Sequence, residues 1–259
     1  MFYTIPRQQF ISNALAASCV WTDLIRDSEN FNSKYFVDED NTFYLSINYG
    51  SGDGIVIFDS YSSEALEKAK NIFPNAVGFT FACDLDKYTD AEIKEKHGIT
   101  FHYKLVERKN TSKTDIKVEK ISDDNCINTL KTYDDMYLSF LREDHGARLL
   151  NFWNRERDKI LNGDEELYIA RNENDTLIGF VMVDVYKDLK VCDITQISIE
   201  DAFQNQGYGK QLLQKVVSEL QKSNIDIYYS SVNDDNIASK KTAEHIGFKA
   251  IACRIHLIT

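Results

Sequence analysis

Proline and glycine are scarce in this chain, 2 and 11 among 259 residues. That excludes a collagen-like or long flexible segment. Cysteine is sparse as well. The five (Cys19, Cys83, Cys126, Cys192, Cys253) are odd in number and never spaced as CxxC. A disulfide framework or a finger-type zinc site is therefore not expected, and no metal is. The thiols read as small buried hydrophobes in a reducing, cytoplasmic setting. Positive charge is in deficit: 30 Lys+Arg stand against 41 Asp+Glu, for a net charge of −11. A nucleic-acid footprint is not expected, and cationic or neutral partners are favoured. No apolar run reaches the ~18 residues of a membrane span. The stretch "FISNALAASC", ending at Cys19, superficially resembles a lipoprotein signal. Asn13 interrupts it and Arg7 is its only leading charge, so an ordinary N-terminal helix is expected.

What remains is enough chain for one large domain or two modest ones. The first half reads as a small α/β unit. "TFYLSINYG" and "GIVIFDS" are β-rich runs joined by "SGD", a hairpin signal. Gly50, Gly52 and Gly54 then belong to its turn. "SSEALEKAKNIF" has a cap serine and apolar residues at helical spacing (Ala65, Leu66, Ala69, Phe73), and Pro74 closes it. "AVGFTFACDL" is a strand, and "DAEIKEKHGITFHYKLVER" a short helix, Gly98 and a strand. The polar "KNTSKTD" (109–115) marks a linker. The expected domains are 1–110 and 115–259.

Beyond the linker, "IKVEKIS" is a strand, and residues 123–161 are mostly helical. "EELYIAR", "TLIGFVMVDVY" and "KVCDITQISI" are three strands. A helix from Gly207, the strand "IDIYYSSV", a helix from Asn236 and the strand "FKAIACRIHLI" follow. "EKHGITFHYKL" in the first half echoes "AEHIGFKAIACRI" in the second. Generic helix-to-strand chemistry explains the echo, as does a first half that is a decayed copy of the second domain's C-terminal half.

One stretch carries chemistry: "QNQGYGKQLL", residues 204–213. A helix start with nearby glycines offers unpaired amide hydrogens, the positive end of a helix dipole and room for a phosphate. A Walker loop fails, because Gln204 stands where its first glycine belongs and Gln211 follows Lys210. A Rossmann fingerprint fails because Leu212 replaces its third glycine. The pattern Gln-x-x-Gly-x-Gly fits a third kind of loop. With "DITQISIEDAF" before it and "VNDDNIASKKTAEHIGF" after it, residues 115–259 resemble the GNAT superfamily of acetyltransferases.

The resemblance implies a mixed α/β (α+β) sheet domain, preceded by a smaller α/β accessory domain that is itself a candidate degenerate GNAT-like half. It implies acetyl-CoA as cosubstrate, with the pyrophosphate on the loop (Gln204, Asn205, Gln206, Gly207, Tyr208, Gly209, Lys210). The pantetheine arm would lie along Ile197, Ser198 and Ile199, aided by Asn236, which also reads as a helix cap. The implied reaction is direct attack of a primary amine on the thioester. Asp193 matches the position of a catalytic carboxylate, with Glu166 and Asp184 as rivals. The family's usual tyrosine acid is replaced by Ala243, leaving Tyr228, Tyr229 or His245 as donors, or no acid at all. Acceptor recognition is expected from "YDDMYLSFLREDHGARLLNFW", with Asp134, Asp135, Glu143 and Asp144. The acceptor reads as a small-molecule amine. The alternatives are a protein or peptide acetyltransferase and a non-catalytic acyl-CoA-binding or interaction module. A homodimer is left open.

Overall fold

The computed structural model describes residues 2–10, 32–48, 50, 52–85, 98–109, 116–121, 160, 165–187 and 190–257. The expected helices across 123–161 lie outside these residues, apart from Ile160, and the acceptor carboxylates go with them. So do most of the N-terminal helix, the short helix before Gly98 and residues 110–115 of the linker.

The chain divides into two compact units. The first comprises residues 1–104, 231–237 and 249–259, and the second 105–230 and 238–248.

In the first unit β1 (Phe2–Thr4), β2 (Lys34–Asp38), β3 (Phe43–Asn48) and β4 (Asp53–Phe58) form an antiparallel series. β5 (Ala76–Asp84) then pairs parallel to β4. A parallel pair needs a crossover, and α1 (Ser63–Ile72) supplies it. The Ser62 hydroxyl oxygen caps α1 by accepting from Ala65 N–H at 3.0 Å. The helix buries Ala69 against a core containing Tyr44, Ile55, Ile57, Phe79 and Phe81. The strands alternate as a half-buried sheet requires: Ile55 and Ile57 point inward, Val56 and Phe58 less so. The sheet continues through the last strand of the chain, β12 (Phe248–His256), to β6 (Gly98–Leu105).

The second unit repeats this order. β7 (Lys117–Lys120), β8 (Glu165–Arg171), β9 (Leu177–Tyr186) and β10 (Val191–Ile199) are antiparallel neighbours. α2 (Tyr208–Lys222) crosses to β11 (Ile227–Asn233), which begins parallel to β10. α3 (Ile237–Ile246) follows. α2 packs on β9 and β10 and buries Leu212, Leu213, Val216, Val217 and Leu220, a stripe at helical spacing. The opposite sheet face carries Leu167, Ile169, Phe180 and Met182, packed with Ile121 and Ile160.

Both units thus contain four antiparallel strands, a helix, and a strand parallel to the fourth. The echoed segments fall on β6 and β12, which hold equivalent places in the two series. The fold is of the mixed α/β kind, and the first unit carries the same half-topology as the second.

Candidate active site

Between β10 and α2 the chain makes a 3-10 turn at Asp201–Phe203 and a four-residue loop. Two glutamine side chains brace it from within. Gln204 Nε2 donates to Ile199 O at 3.0 Å and to Asp201 Oδ1 at 2.8 Å. Gln206 Nε2 donates to Ala202 O at 2.9 Å. Phe203 meets Tyr208 edge to face, with ring centroids 5.8 Å apart. Asn205 (φ 58°) and Gly207 (φ 84°) turn left-handed, which swings the chain into the helix.

The first helical bond runs from Gln211 N–H to Gly207 O at 3.2 Å. Among the described residues, the N–H groups of Asn205 through Lys210 have no protein acceptor. No side chain caps α2, and no acidic residue lies in its first turn. A run of N–H groups at the positive end of a 15-residue helix suits an anion. A Cβ on Gly209 would meet only Ile199 at 3.6 Å and Thr242 at 3.8 Å, ordinary contacts. Packing therefore does not demand glycine at 209. Partial burial, then the charges of Lys210 and Lys109, push the His245 imidazole below its ordinary pKa. His245 thus sits in a cationic neighbourhood shared with the loop's lysine.

β10 is open on one side. Its register with β11 covers Val191–Ile194 against Ile227–Ser230 and stops there. An irregularity lies between Ile194 and Gln196, after which β10 pairs with β9 to Ile199. Ile194 turns its carbonyl toward β11, accepting from the Ser230 hydroxyl at 3.3 Å. Ile197 and Ile199 share its phase: they face Val181 and Gly179 as Ile194 faces Val183. Their backbone groups therefore also point away from β9. Two bonds agree with this phase, since Ile199 O takes the Gln204 side chain while Glu200 N–H goes the other way, to Ile178 O. Ser198 is out of phase. Its carbonyl lies 2.3 Å from where a Cβ on Gly179 would sit, so its backbone serves β9. An extended ligand can thus add to β10 through Ile197 and Ile199.

Asp193, Asp184 and Glu165 form a row. Asp193 is the register partner of Asp184, and Asp184 of Glu165, so all three share the sheet face away from α2. They are 3%, 6% and 3% exposed. Tyr229 on β11 pairs with Asp193, which puts it on the same face. Burial pushes its phenol up, so it stays protonated at neutral pH. Tyr228 pairs with Cys192 and points to the other face. It is fully buried, and its hydroxyl donates to Ile225 O at 2.7 Å. The two adjacent tyrosines are therefore split, Tyr229 beside Asp193 and Tyr228 in the α2-side packing. Glu166 also lies on that other face, 2.6 Å from Lys120 Nζ and accepting from Tyr168 OH at 2.8 Å. Ala243 is buried in α3. Asn236 lies in the turn between β11 and α3, within the first unit, its N–H bonded to Asn233 O at 3.0 Å.

Glu165 was not singled out by sequence reasoning. The signal lay in its phase, since in "EELYIAR" Glu165 alternates with Leu167 and Ile169 and must share their buried face. Among the described residues no group of three or more His, Cys, Asp or Glu is placed to hold a metal ion. No described helix is long and apolar enough to cross a membrane.

Comparison with known proteins agrees with the fold. A curated relative, a [ribosomal protein bS18]-alanine N-acetyltransferase of Haemophilus ducreyi, is 28% identical over 92 residues, 36% of this chain. The match spans only 62% of that relative's own length. A solved GNAT-family acetyltransferase from Colwellia psychrerythraea aligns over 100% of both chains, with a TM-score of 0.60 and 12% identity. A tandem GNAT protein from the clavulanic acid biosynthesis pathway aligns over 99% of this chain and 98% of its own, with a TM-score of 0.55 and 9% identity. At such identities the solved structures speak for the fold alone. The family model for the acetyltransferase (GNAT) family matches residues 130–248. By that match, residues 130–248 form a GNAT acetyltransferase domain.

Proposed function

We propose that the second unit transfers an acetyl group from acetyl-CoA to the primary amine of a small molecule, by direct attack in a ternary complex. The observation that carries this reading is the run of N–H groups from Asn205 to Lys210 at the start of α2, beside the open edge of β10. The loop would hold the pyrophosphate, and Ile197 and Ile199 the pantetheine arm. An N–H on that edge would also polarise the thioester carbonyl.

Asp193 is the base in this reading. It takes a proton from the acceptor ammonium, directly or through water, so that a neutral amine attacks. Tyr229, protonated and on the same face, is the donor to the departing thiolate; Tyr228 faces the other way. Asp184 and Glu165 add negative charge to this face, which favours a cationic acceptor. A peptide α-amine is the second reading, favoured by the Haemophilus ducreyi relative, whose name specifies an alanine acceptor.

The test has two stages. Calorimetric titration with acetyl-CoA should show micromolar binding by the wild type and none by Gly207→Glu, whose side chain and charge oppose the phosphates. Thiol release is then followed over a panel of di- and polyamines and N-terminal-alanine peptides. Asp193→Asn should lower kcat by about 10²–10⁴-fold while leaving acetyl-CoA affinity intact. Binding without turnover on any amine would favour a non-catalytic acyl-CoA-binding module, and no binding at all would sink both.

A further inference from the structure

Two cysteines far apart in sequence lie face to face in the first unit. Cys83 on β5 is the register partner of Cys253 on β12. Their sulfurs are 3.6 Å apart, and the residues are 170 positions apart in the chain. Both are buried, 4% and 0% exposed, among Ile57, Phe81, Ile99 and Ile255. Directly opposed residues on antiparallel strands have Cα atoms ~4.5–5.5 Å apart, within the span a disulfide bridges. The sulfurs need to approach by a side-chain rotation only, with no change of register. Cys192 differs: it is buried on β10, and its thiol is pushed well up by burial and then by the charges of Asp193, Asp184 and Glu166.

We propose that Cys83 and Cys253 are a dithiol–disulfide pair that fastens the chain's last strand into the sheet of the first unit. The oxidant is a small-molecule disulfide such as oxidised glutathione. One protein thiolate attacks it, forms a mixed disulfide and releases one glutathione thiolate. The second protein thiolate then attacks the mixed disulfide, closes the protein bridge and releases the other. Two protein thiols are oxidised and one glutathione disulfide is reduced to two thiols. Burial excludes the oxidant from the closed sheet. The bridge therefore forms when β12 opens, or before it docks, and then resists reduction once the strand is in place. Closing so long a loop restricts the unfolded chain strongly.

The experiment uses the full-length wild type, oxidised in two ways: natively with oxidised glutathione, and by refolding in a glutathione redox buffer. Trypsin should then yield residues 71–87 (NIFPNAVGFTFACDLDK) linked to residues 250–254 (AIACR), separable only by reductant. The bridged protein should melt about 5–10 °C above its reduced form. Cys83→Ala and Cys253→Ala should each show neither the linked peptide nor the shift. Absence of the linked peptide in soluble protein refolded under oxidation, where access is no obstacle, would overturn the proposal. So would a dominant pairing with Cys19, Cys126 or Cys192, or a bridge that lowers Tm. Because the peptide map is read on the wild type, the result does not depend on the variants folding.

Discussion

The Asp38 carboxylate shows how much one buried charge can organise. Its oxygens accept from the N–H groups of Asp40 and Thr42, both at 2.9 Å, and from Tyr44 OH at 2.7 Å. Lys68 Nζ lies 2.8 Å away. Burial alone would raise its pKa, but the bonds from Lys68, Tyr44 and Thr42 outweigh burial and hold it below the ordinary value. The sign follows directly. A carboxyl whose folded pKa lies below its unfolded one stabilises the fold above the ordinary range, and this is lost as pH falls toward the folded pKa. Urea unfolding should therefore show the wild type losing stability as pH drops below about 4, with Asp38→Asn losing less over the same window. At pH 7 the variant should be about 1–3 kcal/mol less stable. Equal stability at pH 7 would mean that the β2–β3 turn does not depend on this charge.

Helix ends decide the chemistry at the next scale, and two glycines do so for different reasons. Gly207 enters α2 with φ 84°, and a Cβ there would meet nothing within 4 Å. Gly247 leaves α3 with φ 109°, and a Cβ there would fall 1.5 Å from Glu107 O. The Gly247 carbonyl also takes Val106 N–H at 3.2 Å, so this segment cannot simply retreat. Gly207→Ala should cost about 1–2 kcal/mol of stability, the strain of a left-handed residue. Gly247→Ala should cost about 3 kcal/mol or more, because overpacking is added to strain. Acetyl-CoA affinity should follow the opposite order, with Gly207→Ala the more damaging. Equal stability losses in denaturant titrations would contradict this account of Gly247.

At the scale of the whole molecule, the two units share an order of elements but not the same opening beside the parallel pair. In the second unit the parallel pair β10–β11 ends after four residues, and α2 begins uncapped. In the first, the parallel pair β4–β5 runs from Asp53/Ala76 to Ile57/Phe81, along most of β4. There α1 starts with the Ser62 oxygen on an N–H and Glu64 in its first turn, both unfavourable to a phosphate. Calorimetry should accordingly find one acetyl-CoA per chain, and none for Gly207→Glu. A stoichiometry of two would show that the first unit binds as well.

The strands from β3 onward, α1, α2 and α3 were legible in the sequence because their signals are local: alternating apolar residues, Ser62 before a helical stripe, Pro74 after it; β1 and β2 were not read there. The turn of residues 204–207 into α2 was legible too, since a helix start is built from consecutive backbone groups. Pairing decided the rest. Tyr228 and Tyr229 are adjacent and chemically alike, and only their register with Cys192 and Asp193 assigns them to opposite faces. Glu165, Asp184 and Asp193 sit on three separate strands, and the meander alone makes them neighbours. The last strand follows the second unit in the chain, yet it pairs with β5 in the first and brings Cys253 to Cys83. Short-range backbone preference is written residue by residue. Which strand lies beside which depends on apolar burial between residues distant in the chain, and that is settled only when the sheet closes.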